Sequence, residues 1–135
     1  MLKLVKYKFP KMIDEENQGV LHVFESDKIP FPIKRIFTVV NASAKSKRGE
    51  HAHKACNQLL ICLSGEIELF CDDGKNKETF LLESDGDSIG VPSGVWAEQT
   101  YNTNNSVLLV ICDKPFSESD YIRDYDEFIK WKKIS

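Results

Sequence analysis

Apolar and polar residues alternate with a period of two along most of this chain. Ile67, Leu69 and Cys71 are interleaved with Glu66, Glu68 and Phe70, and Asp72-Asp73-Gly74 then supplies the residues of a tight hairpin turn before the next strand at 79–82. The same pattern predicts strands at 19–25, 33–40, 50–53, 58–63, 87–91, 95–99 and 106–112. Their connections carry turn residues, among them Pro30-Phe31-Pro32, Ser64-Gly65, Asp85-Gly86 and Pro92-Ser93-Gly94. Short strands spaced this evenly, with no helix between them, predict an all-β antiparallel sandwich or barrel. Only the end changes period. Tyr121, Tyr125, Phe128, Ile129 and Lys132 recur at helical spacing with Ser117 and Asp120 as caps, which predicts one short C-terminal α-helix from Asp120 onward. No repeat, low-complexity segment or linker interrupts the pattern, so residues 1–135 read as a single domain.

Composition narrows the class. The chain has 135 residues, 41% hydrophobic and 29% charged, which is the balance of a globular protein able to bury one core without disulfide staples. A formal net charge of −3, with both signs scattered, argues against a nucleic-acid partner, although a few arginines in a pocket can still attract a small anion. The N-terminus alternates Lys with apolar residues rather than presenting a signal peptide, and the longest apolar runs, 59–63 and 107–112, are too short to span a membrane as helices. The four cysteines, Cys56, Cys62, Cys71 and Cys112, form no Cys-x-x-Cys pair and read as reduced packing residues. Together these features predict a cytoplasmic protein with no membrane partner.

The chemistry concentrates in one strand. Two of only three histidines form His51-Ala52-His53, and residues at i and i+2 of a strand share a face roughly 6 to 7 Å apart, so both imidazoles address one ligand. Arg48 and Gly49 precede them and Gln58 opens the next strand. The spacing Gly49-x-His51-x-His53-x4-Gln58-x6-Gly65, followed by Gly86-x5-Pro92-x-Gly94, resembles the two motifs of the cupin superfamily, in which two His, a Glu and a further His bind a metal. Here Gln58 stands at the Glu position and Ala97 at the last His position. A neutral amide and a methyl group make a poor donor set for a first-row ion. A histidine pair without a metal is free to move protons near neutral pH, so general acid/base work is the leading chemistry.

A closer resemblance covers nearly the whole chain. The blocks Ile29-Pro-Phe-Pro-Ile-Lys-Arg35, Arg48-Gly-Glu-His-Ala-His-Lys54, Gln58-Leu-Leu-Ile-Cys-Leu-Ser-Gly65, Asp72-Asp-Gly74 and Asp120-Tyr-Ile-Arg-Asp-Tyr-Asp-Glu-Phe128 resemble the cupin-type sugar 3,4-ketoisomerases. The resemblance implies a homodimer of jelly-roll β-barrels, without metal or cofactor, acting on dTDP-4-keto-6-deoxy-glucose on the route to 3-amino-3,6-dideoxy sugars of surface glycans. It implies His51 and His53 as the catalytic pair, one as base at C3 and the other serving C4 or the oxygens. Arg35 and Arg48 are implied as diphosphate ligands, and Gln58 as a contact to a sugar hydroxyl. The segment 2–9 is a candidate strand for pairing across the dimer.

The chain departs from that family where tyrosines commonly follow the Lys-Arg pair, here Phe37-Thr38-Val39-Val40, and where an arginine is replaced by Gln18. Other residues have plainer readings: His22 as structural, Phe37 and Trp96 as core aromatics, Glu98 as an exposed strand acid, Arg35 as a salt-bridged strand residue. Two rival functions remain at this level. One is a metal-dependent cupin using His51 and His53 with Gln58 or Glu98. The other is a sugar-nucleotide-binding cupin that has lost its chemistry.

Overall fold

The computed structural model describes residues 2–134, in which strands dominate and one helix closes the chain. The strands are β1 (Val5–Tyr7), β2 (Lys11–Asp14), β3 (Gly19–His22), β4 (Arg35–Val39), β5 (Ser46–His53), β6 (Gln58–Ser64), β7 (Glu66–Asp72), β8 (Lys77–Glu83), β9 (Ser88–Val91), β10 (Trp96–Tyr101), β11 (Val107–Cys112) and β12 (Tyr121–Ile122), followed by α1 (Tyr125–Ile134). They form two five-stranded sheets, ordered β1-β9-β6-β11-β4 and β12-β5-β10-β7-β8, and a separate β2-β3 hairpin. All pairings are antiparallel among the described residues.

The period of two places the core. Leu60 and Cys62 of β6, Ile67, Leu69 and Cys71 of β7, and Leu108 and Val110 of β11 turn inward into one buried cluster between the sheets. The alternate residues Leu59, Ile61 and Ile111 turn outward and are covered by Phe9, Phe24, Ile29 and Phe31 of the N-terminal segment. On the outer side of the other sheet, Ala52 and Trp96 are covered by Ile122 and by Phe128, Ile129 and Trp131 of α1. Apolar residues on both faces of β6 and β11 explain why those strands read as continuous apolar runs.

The predicted jelly-roll arrangement is present, but the barrel is not closed. No ladder joins β4 at the edge of one sheet to β12 at the edge of the other. The helix begins five residues later than predicted. Tyr121 and Ile122 pair with His53 and Ala52 as strand β12. Asp120 cannot cap a helix because His53, Ala55 and Cys56 already occupy its carboxylate. The cap is Asp124, which accepts the N–H groups of Asp126 and Glu127 at 2.8 and 3.2 Å. The N-terminal strand is shorter than the segment 2–9 and pairs with β9 of its own chain, Val5 facing Gly90. Strand β2, unpredicted, pairs with β3, so that 19–25 forms half of a hairpin. All four cysteines are buried free thiols.

Candidate active site

The open seam between the sheets is a cavity of about 220 Å³ lined by Phe37, Arg48, His51, Gln58, Gln99, Tyr121 and Arg123, with an apolar floor of Leu60, Leu108 and Val110. Of the residues singled out in the sequence, Arg48, His51 and Gln58 meet in this cavity. His53 lies directly behind, its ring centroid 5.0 Å from that of His51 and nearly perpendicular to it. Tyr121 packs against both imidazoles, at 4.8 and 4.3 Å. Arg35 stands to one side, its Nη1 donating to the Tyr121 hydroxyl at 3.4 Å, and its Nε is buried without a partner among the described residues.

The backbone before His51 is irregular in a way that serves it. Gly49 and Glu50 both have positive φ, 83° and 57°, and a bulge sits opposite them between Ala97 and Glu98 of β10. This kink turns the Gly49 carbonyl toward the ring of His51, which donates from Nδ1 to it at 3.0 Å. A carbonyl only accepts, so Nδ1 carries the proton and Nε2 is left with its lone pair. His53 is held likewise: Nδ1 donates to Asp120 at 2.8 Å, and its buried Nε2 has no partner among the described residues. Asp120 is itself fixed by the Ala55 and Cys56 N–H groups at 2.7 and 3.3 Å. Both imidazoles therefore present bare Nε2 atoms.

Burial, joined by the neighbouring His53, pushes the His51 imidazole down to about 4. Burial also lowers His53, against the opposing pull of Asp120. The Asp120 carboxylate is held below its ordinary value: burial opposes this, and the His53 ring and the two backbone donors outweigh it. Neutral imidazoles beside an ionised carboxylate are the resting state at neutral pH.

In the sequence Tyr121 and Asp120 read as helix residues and Arg123 only as part of a family block, none of them as a site residue. Their signal was available in the alternation of Tyr121, buried Ile122 and Arg123, which is strand-like. Arg123 stacks 4.2 Å over the Tyr121 ring and pairs with Glu118 at 2.7 Å. Phe37 is a cavity wall 37% exposed rather than a core residue, and the Arg35 guanidinium lies 5.6 Å from its ring. Trp96 is a core aromatic as expected. Glu98 faces away from the cavity, accepting from Trp96 Nε1 at 2.8 Å and pairing with Lys47, and so cannot join the histidines at a metal. Gln58 donates from Nε2 to the Cys112 thiol, and Ala97 offers no donor, so the residues present do not fit the metal set of the cupin superfamily. His22 stacks on Phe24 outside the site.

Comparison with known proteins places the chain in a family. A family model described as FdtA, WxcM-like, C-terminal matches residues 3–133. TDP-4-oxo-6-deoxy-alpha-D-glucose-3,4-oxoisomerase of Aneurinibacillus thermoaerophilus is 36% identical over 124 residues, 91% of this chain and 88% of that protein. A 3,4-ketoisomerase from Helicobacter canadensis superposes with a TM-score of 0.88 at 30% identity, covering 98% of this chain and 99% of its own. A mutant of the 3,4-ketoisomerase QdtA from Thermoanaerobacterium thermosaccharolyticum, in complex with TDP-4-keto-6-deoxyglucose, gives 0.89 at 31% identity, covering 99% and 97%. With the family model spanning residues 3–133 and these relatives matching nearly the whole chain, the chain belongs to the FdtA family of sugar 3,4-ketoisomerases.

Proposed function

We propose that this protein converts a dTDP-4-keto-6-deoxy-hexose into the 3-keto isomer by metal-free proton transfer between His51, His53 and the sugar. The observation that carries this reading is the pair of bare Nε2 atoms, one at the cavity and one buried behind it without a partner. In a 4-keto sugar the C3 hydrogen is acidified by the adjacent carbonyl. One imidazole removes it to give an enediol, a proton passes between the two oxygens, and reprotonation at C4 leaves the carbonyl at C3. Two bases side by side suit two adjacent carbons. The substrate supplies the hydrogen-bond partner that His53 Nε2 lacks.

The cavity of about 220 Å³ is below the roughly 300 Å³ at which ordinary ligand pockets begin, so it takes the hexose and leaves the nucleotide outside. Arg48 and Arg123 line it and Arg35 stands beside it; these guanidinium groups suit the diphosphate at the cavity mouth, and Gln58 suits a sugar hydroxyl. The working unit is a homodimer in the cytoplasm, and its product feeds the synthesis of 3-amino-3,6-dideoxy sugars for surface glycans.

The test follows dTDP-4-keto-6-deoxy-glucose by proton NMR in deuterated buffer with wild type, His51→Asn and His53→Asn. The expected outcome for wild type is loss of the C3 proton signal with growth of a 3-keto product. A variant that exchanges the C3 proton without forming product identifies the surviving histidine as the base at C3. A wild type that binds the sugar but neither exchanges nor isomerises it overturns the proposal in favour of a binding protein.

A further inference from the structure

His53 has a second end, which the reaction above uses only to hold the ring in place. At its Nδ1 end, Nδ1 itself, the Cys56 thiol and an Asp120 carboxylate oxygen all lie within 4.8 Å of one another. Imidazole, thiolate and carboxylate are each zinc ligands, and first-row ions after iron favour such mixed nitrogen and sulfur sets. The three side chains come from β5, from the turn that follows it, and from the segment just before β12. That turn is rigidly held: Lys54 N–H bonds the Asp120 carbonyl, Ala55 and Cys56 bond its carboxylate, and the Asn57 backbone and side chain bond Asp113 at 2.8 Å each. The donors are thus fixed before any ion arrives.

The contacts of the Cys56 sulfur are ones an ion would have to displace: a long bond of 3.5 Å to the Asn57 carbonyl, the Lys114 backbone and the Arg35 side chain. An approach exists on the side away from the sugar cavity, where a depression lined by Lys54, Ala55, Lys114, Pro115, Ser117, Ser119 and Asp120 leads to the carboxylate. The two lysines there oppose a cation, which sets the site apart from a permanent structural zinc site and suits reversible occupancy.

We propose that His53, Cys56 and Asp120 form a reversible inhibitory site for a thiophilic divalent cation such as zinc. The proton balance gives the inhibition. The ion takes the Nδ1 lone pair, so the ring proton moves from Nδ1 to Nε2; Cys56 loses its thiol proton to solvent; Asp120 is already ionised. One proton is released per ion, and Nε2 is changed from an acceptor into a donor. The imidazole then has no lone pair for the sugar. This consequence rests on the reading of His53 Nε2 as a proton acceptor in catalysis, whereas the binding of the ion does not.

The test uses cobalt(II) as the spectroscopic probe and zinc as the inhibitor, on the full chain as wild type, Cys56→Ser and Cys56→Ala, each shown folded by circular dichroism. Wild type is expected to give a thiolate-to-cobalt charge-transfer band that saturates at one ion per chain and is absent from both variants. Zinc is expected to inhibit wild type reversibly, with chelator restoring the rate. The variants, each compared with its own metal-free rate, are expected to need at least about tenfold more zinc, the low end of the loss seen on disturbing groups that merely support a ligand. A missing band, or one that persists without Cys56, overturns the site. A Cys56-dependent band with unchanged activity leaves the site standing and overturns the role of His53 Nε2.

Discussion

At the scale of single residues, the site is a study in how neighbours choose a tautomer. The Gly49 carbonyl and the Asp120 carboxylate each take the Nδ1 proton of one imidazole, and burial keeps the rings neutral. Both histidines lie below 6.5, so the acid limb of kcat/KM is expected below pH 6.5. A limb at or above 6.5 in the pH–rate profile would refute this. Stability follows the same shift. An unfolded imidazole binds its proton near 6.5 while folded His51 resists until about 4, so between those values the unfolded chain holds more protons. Stability present above pH 6.5 is therefore lost as the pH falls toward 4, by about 3 kcal/mol at full extent. Urea midpoints across this window should fall for wild type and flatten for His51→Asn. Asp120 is a positioning residue: Asp120→Asn should lower kcat by about a hundredfold or more and move the acid limb to lower pH, since the carboxylate supports the protonated ring of His53. Unchanged pH dependence with a merely weakened fold would reduce Asp120 to a structural role.

At the scale of elements, the kink in β5 matters more than the strand's length. A Cβ at Gly49 would stand 3.0 Å from the Ala97 carbonyl and from the Gln99 side chain, at a φ of +83° that side chains rarely adopt. Gly49→Ala should cost about 1–2 kcal/mol of stability and, by shifting the carbonyl that orients His51, about tenfold to a hundredfold in kcat. Equal and small losses in thermal midpoint and rate would show that the kink does not aim the histidine. The strands themselves were legible because alternation is a local property: β7 with its Asp72-Asp73-Gly74 turn, β6, β9 and β11 all fall close to where their residues predict. The His51 and His53 face was legible for the same reason. The helix start was not, because Tyr121 matches the 3.6-residue period of α1 by coincidence, and only Asp120, tied up 67 residues away by His53, explains why the helix waits for Asp124. That tie is long-range, and no local window holds it. Phe37 was misplaced for a related reason: an aromatic in a strand is ordinarily core, but β4 is an edge strand beside an open seam.

At the scale of the whole molecule, the β2-β3 hairpin leaves apolar side chains uncovered on both of its sides. Met12 faces Leu21 and Ile13 faces Val20, so alternation puts one apolar pair on each side of the ribbon, and all four side chains are more than half exposed. A two-stranded ribbon is marginally stable alone, and this one joins neither sheet. Ile36 and Val40 add further exposed apolar surface along the outer side of β4. A second copy of the chain is the occupant that the expected homodimer would provide, and the hairpin stands as a candidate contact beside the N-terminal strand, whose outer edge stays unpaired among the described residues at the end of its sheet. Light scattering at micromolar concentration should therefore give twice the 15.4 kDa chain mass for wild type. Ile13→Lys and Leu21→Lys each place a charge on one side of the ribbon, so the variant whose side docks should fall to the monomer mass while the other stays dimeric. A wild-type monomer would remove the dimer, and two variants that both stay dimeric would move the interface off the hairpin. Because the sugar cavity is bounded by β4, β5 and β12 rather than by the hairpin, a folded monomeric variant should keep measurable ketoisomerase activity, read by the same deuterium exchange at C3.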